Sequence, residues 1–167
     1  VDPSARALDS AVHLAQSRYY EPNWSAYRYR PAEARRLLTQ AGCRKGADGI
    51  FSCGGRRLSL RFVTTAGRPP RAQSLTLIQA QLRAAGVEVM PVFVGGVFFT
   101  QIVPQGLFDV ALFAWEGFPG GSRVSIFGCG GAQNYTGYCQ RLVTAHLNQA
   151  ERMLDERAQA RVLNRAD

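Results

Sequence analysis

The residues best suited to chemistry in this 167-residue chain are four cysteines, set as two pairs of equal spacing: Cys43 with Cys53, and Cys129 with Cys139. Each pair brackets a turn-rich stretch that lets the chain double back and bring two thiols together. Two local disulfides are expected; four buried thiols are the alternative. Disulfides imply an oxidising compartment and stabilise by roughly 2–3 kcal/mol each on the loop-entropy account. Zinc calls for closer cysteine pairs or neighbouring histidines, and His13 and His146 do not stand beside both pairs, so no metal site is expected. The sequence has no G-x-S-x-G elbow, H-E-x-x-H helix, Walker loop or dinucleotide fingerprint. Glu151 and Asp155, a helical turn apart beside Arg152, fit a solvated helix face. No catalytic residue, and hence no enzyme, is expected.

The remaining candidates suit binding. Trp115 ends an apolar run that starts at Leu107, where it either stacks on a ligand or closes the core. Glu116, beside Gly117, reads as an ammonium anchor or a solvated loop acid; Phe118 and Pro119 suit an apolar pocket wall. Asn134 and Tyr135 present polar groups within the loop that Cys129 and Cys139 would hold rigid, which lowers the ordering cost of recognition. Structural hydrogen bonding suits Asn134 equally. The tripeptide Asn134-Tyr135-Thr136 fits the N-glycosylation pattern, which recurs too often to carry weight. Both histidines read as helix-surface residues.

The elements that must hold these residues follow from periodicity. Residues 1–30, with Tyr19, Tyr20, Pro22 and Trp24, lack a helical or strand period and read as an irregular packing arm; residues 31–167 read as one α/β domain. Pro31 opens a helix with Ala34, Leu37, Leu38 and Ala41 on one stripe and Gly42 as its stop. Leu58, Leu60 and Phe62 alternate with polar residues as in a strand. Leu75, Ile78, Leu82 and Ala85 mark a helix ended by Gly86, and Val87–Val94 is a second strand, which makes a parallel βαβ unit with a right-handed crossover. Pro91 assigns that second strand to an edge or bulge. A helical turn or two is expected within 97–105, then a strand over 107–115 buried on both faces, a loop over 116–134, a helix with Val143, Leu147, Ala150 and Leu154 at its seam, and a last helix over 156–165. The sum is a three-layer α/β domain whose longest loop follows its most buried strand, a common place for ligands.

With 46% hydrophobic and 19% charged residues, the chain has the composition of a folded domain. No apolar run reaches the ~18–20 residues that cross a bilayer. Val1-Asp2-Pro3-Ser4 lacks a signal-peptide layout, and Leu163–Asp167 is a helical pattern without a stop, so both ends read as trimmed. The net charge of +8 is spread along the chain with no clusters larger than pairs such as Arg35-Arg36, which argues against a nucleic-acid surface.

Several motifs, taken in order, resemble those of family 5 extracellular solute-binding proteins, the binding components of oligopeptide, dipeptide and nickel ABC importers. The run from Tyr29 to Gly42 (YRPAEARRLLTQAG) resembles the family's Y-D-P-x-x-A-x-x-L-L-x-x-A-G helix. Gly49-Ile50-Phe51 and Gly55–Leu60 resemble the hairpin that follows it. Ile78-Gln79, Leu82 and Gly86–Val89 resemble I-Q-x-x-L-x-x-x-G-I-x-V. Gly106–Asp109 with Trp115, and Asn134-Tyr135 with Gly137-Tyr138, resemble two further motifs.

The resemblance implies one lobe, the smaller C-terminal one, of a type II periplasmic-binding fold with a mixed or parallel sheet. It implies a monomer without cofactor that binds a peptide or other small solute between this lobe and a missing N-terminal lobe, then delivers it to an ABC permease. The full-length protein would be extracytoplasmic, lipid-anchored or periplasmic. A sensing or protein-interaction domain built on the same lobe is the alternative. Peptide-binding members place an Asp three residues after the Trp, against the peptide ammonium; here that position is Phe118, with Glu116 the nearest acid.

Overall fold

Pro31, whose fixed φ is preorganised for a first helical turn, opens α1 (Pro31–Gln40) in the computed structural model, which describes residues 8–115 and 122–167. Gly42 follows at φ 82°, a left-handed stop that returns its N–H to Thr39. The chain then forms a small antiparallel sheet of β1 (Arg44–Lys45), β2 (Phe51–Cys53) and β3 (Arg56–Arg57), in that order. Arg44 pairs with Ser52, so the next step outward sets Cys43 opposite Cys53, and the first expected disulfide forms there with the Cα atoms 4.2 Å apart.

The βαβ unit follows: β4 (Ser59–Thr65), α2 (Pro69–Ala85) and β5 (Glu88–Val94), with β4 and β5 parallel. Leu75 on α2 is buried against Phe62 and Val89, flanked by Ile78 and Leu82, as the helical stripe predicts. A π-helical turn, Phe98–Ile102, leads to β6 (Val110–Leu112), and the sheet order is β5-β4-β6. Pro91 sits on edge strand β5 opposite Phe62, where its missing N–H deprives no neighbour. The run 107–115 departs from expectation. Only Val110–Leu112 pairs, on the other edge of the sheet, and all three residues are half-buried. Among the described residues β6 has a strand on one side alone, so its apolar run is covered less than a central strand would be.

The contacts group into two compact units, Tyr29–Glu116 and a second made of Val1–Arg28 with Gly117–Asp167. In the second, α3 (Arg123–Phe127), α4 (Arg141–Glu151) and α5 (Glu156–Ala166) surround a core of Leu147, Ala150, Val162 and Leu163. Residues 8–28 form neither helix nor strand, and Trp24 donates its indole N–H to the Asp167 carbonyl at 2.9 Å. The second expected disulfide, Cys129–Cys139, is formed.

Four local expectations are corrected here. Helix α3 lies inside the stretch read as loop, and Ser122 caps it by accepting from the Ser125 N–H. Glu151 does not sit on a merely solvated face: its Oε1 accepts from Ser122 Oγ at 2.7 Å and from the Val124 N–H at 3.2 Å. Leu154 falls in the turn between α4 and α5, fully exposed, because Arg152 caps α4 before the seam reaches it. His13 lies in the irregular arm with its Nε2 buried and unpaired; burial, then Arg123, holds its pKa below the ordinary histidine value. His146 is on α4 as expected, yet its Nδ1 is also buried. Among the described residues no helix is long and apolar enough to cross a membrane, and no cluster of His, Cys, Asp and Glu could hold a metal ion.

Candidate functional site

Parallel pairing sends the carboxyl ends of β4, β5 and β6 to one edge of the sheet, the edge from which open α/β folds present ligand-binding loops. Thr65 and Val94 end their strands opposite each other, and Thr64–Leu112 is the last paired step on the other side. Thr64, fully buried, fixes that side by donating from Oγ1 to the Leu112 carbonyl at 2.7 Å. The residues leaving β6 are thereby anchored to the central strand.

Four aromatic rings follow from these ends. Phe98 and Phe99 stand on the π-helical turn after β5; Phe113 and Trp115 follow β6. Phe98 meets Phe99 edge-on with ring centroids 4.9 Å apart and Phe113 at 5.6 Å; Phe99 meets Phe113 at 5.5 Å, and Phe113 meets Trp115 at 4.5 Å. Such tilted and edge-to-face pairs are the preferred aromatic geometry. Phe98 is 1% exposed and Trp115 42% exposed, so the chain of rings runs from the core to the surface. A planar or apolar solute group meeting Trp115 would find a ring already held by its neighbours, with little ordering left to do. At the end of β4, Arg71 in the first turn of α2 donates from Nη1 to Thr65 Oγ1.

Of the residues singled out in the sequence, Trp115 lies on this ledge. Glu116, Gly117, Phe118 and Pro119 lie outside the described residues. Asn134 and Tyr135 belong to the other compact unit. There Asn134 braces its own loop: Nδ2 donates to the Gly128 carbonyl at 2.8 Å and the Tyr138 carbonyl at 2.6 Å, while Oδ1 accepts from Thr136 Oγ1 at 2.9 Å. Sequence reasoning missed Phe98, Phe99 and Phe113. The available signal was the adjacent phenylalanines just after Gly95-Gly96, together with a third two residues before Trp115.

Residues 4–135 match the model of bacterial extracellular solute-binding proteins, family 5 Middle. The chain belongs to this family. Among family 5 relatives, the oligopeptide-binding protein OppA of Mycobacterium tuberculosis (strain ATCC 25618 / H37Rv) and that of Mycobacterium bovis are each 31% identical over 132 residues. The match takes 77% of this chain and 22% of theirs, so the chain spans about a fifth of the length of these curated relatives. Solved family 5 folds superpose closely. The oligopeptide-binding protein of Thermus thermophilus, complexed with a pentapeptide, gives a TM-score of 0.74 at 24% identity, covering 92% of this chain and 30% of that one. NikA of Brucella suis, in complex with Fe(III)-EDTA, gives 0.72 at 21%, covering 95% and 33%. At such identities the likeness establishes the fold: mixed α/β with a parallel sheet, as the motifs imply.

Proposed function

We propose that this chain is part of one lobe of a two-lobed solute-binding protein, and that its share of the solute site is the aromatic ledge ending at Trp115. The supporting observation is the run of ring contacts from buried Phe98 to half-exposed Trp115, placed where parallel sheets present ligands in a chain of family 5. Glu116, next to Trp115 in the sequence, belongs to the same proposal; Gly117, Phe118, Pro119 and Tyr135 are proposed as solute contacts in their own right. The site binds and releases; it performs no bond chemistry.

In this reading the solute bridges this lobe and a second one, closure buries it, and the closed form docks on an ABC permease outside the cytoplasm. Ligand-driven closure needs only that the solute bind the closed state better than the open one. The two solved relatives hold a pentapeptide and a metal-EDTA complex, and both are small solutes of the size such a cleft encloses. With half the contacts, the 167-residue chain alone binds feebly.

The test is native purification of the full-length protein followed by mass spectrometry of whatever it retains, then titration of that compound against wild type and Trp115→Ala. Retention of a small solute, with affinity reduced roughly tenfold or more by the substitution, is expected for an aromatic anchor. An empty protein that binds no solute offered, or an unchanged affinity after Trp115→Ala, refutes the reading.

A further inference from the structure

The arm of residues 8–28 has no helix or strand of its own, so side chains fasten it to the helices of its unit. Asp167, at the end of α5, takes three donors from it: Oδ1 accepts from the Ala11 N–H at 2.8 Å, Oδ2 from Asn23 Nδ2 at 3.1 Å and the carbonyl from Trp24 Nε1 at 2.9 Å. Asn164 on α5 donates from Nδ2 to the Tyr19 carbonyl at 3.1 Å, and Arg123 on α3 from Nη2 to the Val12 carbonyl at 3.2 Å. What the arm covers is apolar. Val12 packs on the core around Leu147, and Ala11, Val12 and Trp24 wall one side of a cavity of about 470 Å³ whose other walls include Phe127, Val143 and Leu147.

His13 lies within this fastening, with the Tyr19 ring 6.2 Å from its own. Its Nε2 is buried with no hydrogen-bond partner among the described residues. A proton added there becomes a buried N–H without an acceptor, and it brings a positive charge toward Arg123, which is bonded to the residue before. Asp167 at the end of α5, Glu21 of the arm and the Ala160 backbone favour the charged ring; burial, then Arg123, opposes it and prevails.

From this placement we infer that the arm is a strap which protonation of His13 releases, opening the apolar cavity beneath it. The device stands apart from the aromatic ledge. On a released arm the imidazole takes its proton at the ordinary 6.5, whereas on the docked arm it does so only at a lower pH. Docking is therefore at full strength above 6.5 and weakens as pH falls below it toward the docked value. A single histidine bounds the effect at about tenfold for the first unit of pH below its free value.

Hydrogen exchange of the 167-residue chain, followed by mass spectrometry and corrected for the intrinsic pH dependence of exchange, tests this. Measurements at about pH 7.5 and about pH 5.5 stay above the ordinary carboxylate range, so histidines dominate the change. His146, on α4, is the second of only two in the chain. Peptides of the arm are expected to lose up to about tenfold in protection on acidification, while peptides of α4 keep theirs. His13→Gln removes the loss and His146→Gln leaves it. Arg123→Gln makes it smaller, because the proton is then less opposed, and supplies the reading if His13→Gln does not fold. Fluorescence of the dye ANS, which brightens on apolar surface, should rise over the same interval in wild type and not in His13→Gln.

Arm protection that is unchanged over this interval, or that falls equally in His13→Gln, overturns the assignment to His13. A parallel fall in α4 overturns release of the arm as a separate step, the unit then opening as a whole. Loss of arm protection without a rise in ANS fluorescence overturns the opening of the cavity.

Discussion

Asn134 donates from Nδ2 to the carbonyl of Tyr138, the residue immediately before Cys139, at 2.6 Å. The same nitrogen reaches the carbonyl of Gly128, immediately before Cys129, at 2.8 Å. One amide therefore spans the neck that the Cys129–Cys139 disulfide closes covalently.

Because two devices close one loop, their removal should not be additive. With the disulfide intact, Asn134→Ala is expected to cost about 1–2 kcal/mol, the usual range for lost hydrogen bonds. In a Cys129→Ser/Cys139→Ser background the same substitution should cost more, since the amide then closes the neck alone. Urea unfolding of the four combinations measures this. Additivity to within about 0.5 kcal/mol would mean that the two act independently.

Gly86 combines two demands. Its φ of 88° stops α2, and a Cβ there would stand 2.4 Å from Cδ2 of Phe51. Gly86→Ala should therefore destabilise by about 2–4 kcal/mol, from left-handed strain plus overpacking. Gly96→Ala, where a Cβ meets nothing within 4 Å and φ is not positive, should be nearly neutral. Thermal melts of the two variants separate the outcomes.

The ends of the aromatic chain should answer differently to truncation. Phe98→Ala opens a cavity in the core and should cost about 3–5 kcal/mol. Trp115→Ala loses one ring contact and should cost about 1 kcal/mol. Solute binding by the full-length protein should follow Trp115. Comparing unfolding midpoints with binding affinities distinguishes the root of the ledge from its working face.

Acid should weaken the Tyr29–Glu116 unit through Glu88. Hydrogen bonds from Arg57, chiefly, hold its carboxyl at about 2, below the ordinary value of 4.5. A depressed carboxylate contributes its full stabilisation above the unfolded value and loses it as pH falls from about 4.5 through about 2. Wild type should lose stability across that window, and Glu88→Gln should flatten that part of the profile while lowering stability at neutral pH. Denaturant midpoints taken at several pH values check both, and raised salt should shrink the effect because the pair is exposed.

Much of the scaffold was legible because its signals are local. Pro31 and Gly42 bracket α1, Leu75 and Leu82 place one face of α2 on β4, and Pro91 assigns β5 to an edge; each depends on a backbone preference or period that acts within a few residues. The turn-rich spans between the cysteines likewise let each pair close. Of the ledge, only Trp115 was visible, as the end of an apolar run.

What sequence alone determined was the order of α1, β4, α2, β5, α4 and α5, the family and both cysteine pairings. Tertiary structure decided how little of 107–115 pairs, that Asn134 faces its own loop, that Glu151 caps α3, and that Phe98, Phe99, Phe113 and Trp115 join in one chain of rings. Those relations depend on which backbone atoms and side chains from separate segments arrive within bonding distance. No periodicity encodes that; for the rings it is fixed when β4 takes β5 on one side and β6 on the other.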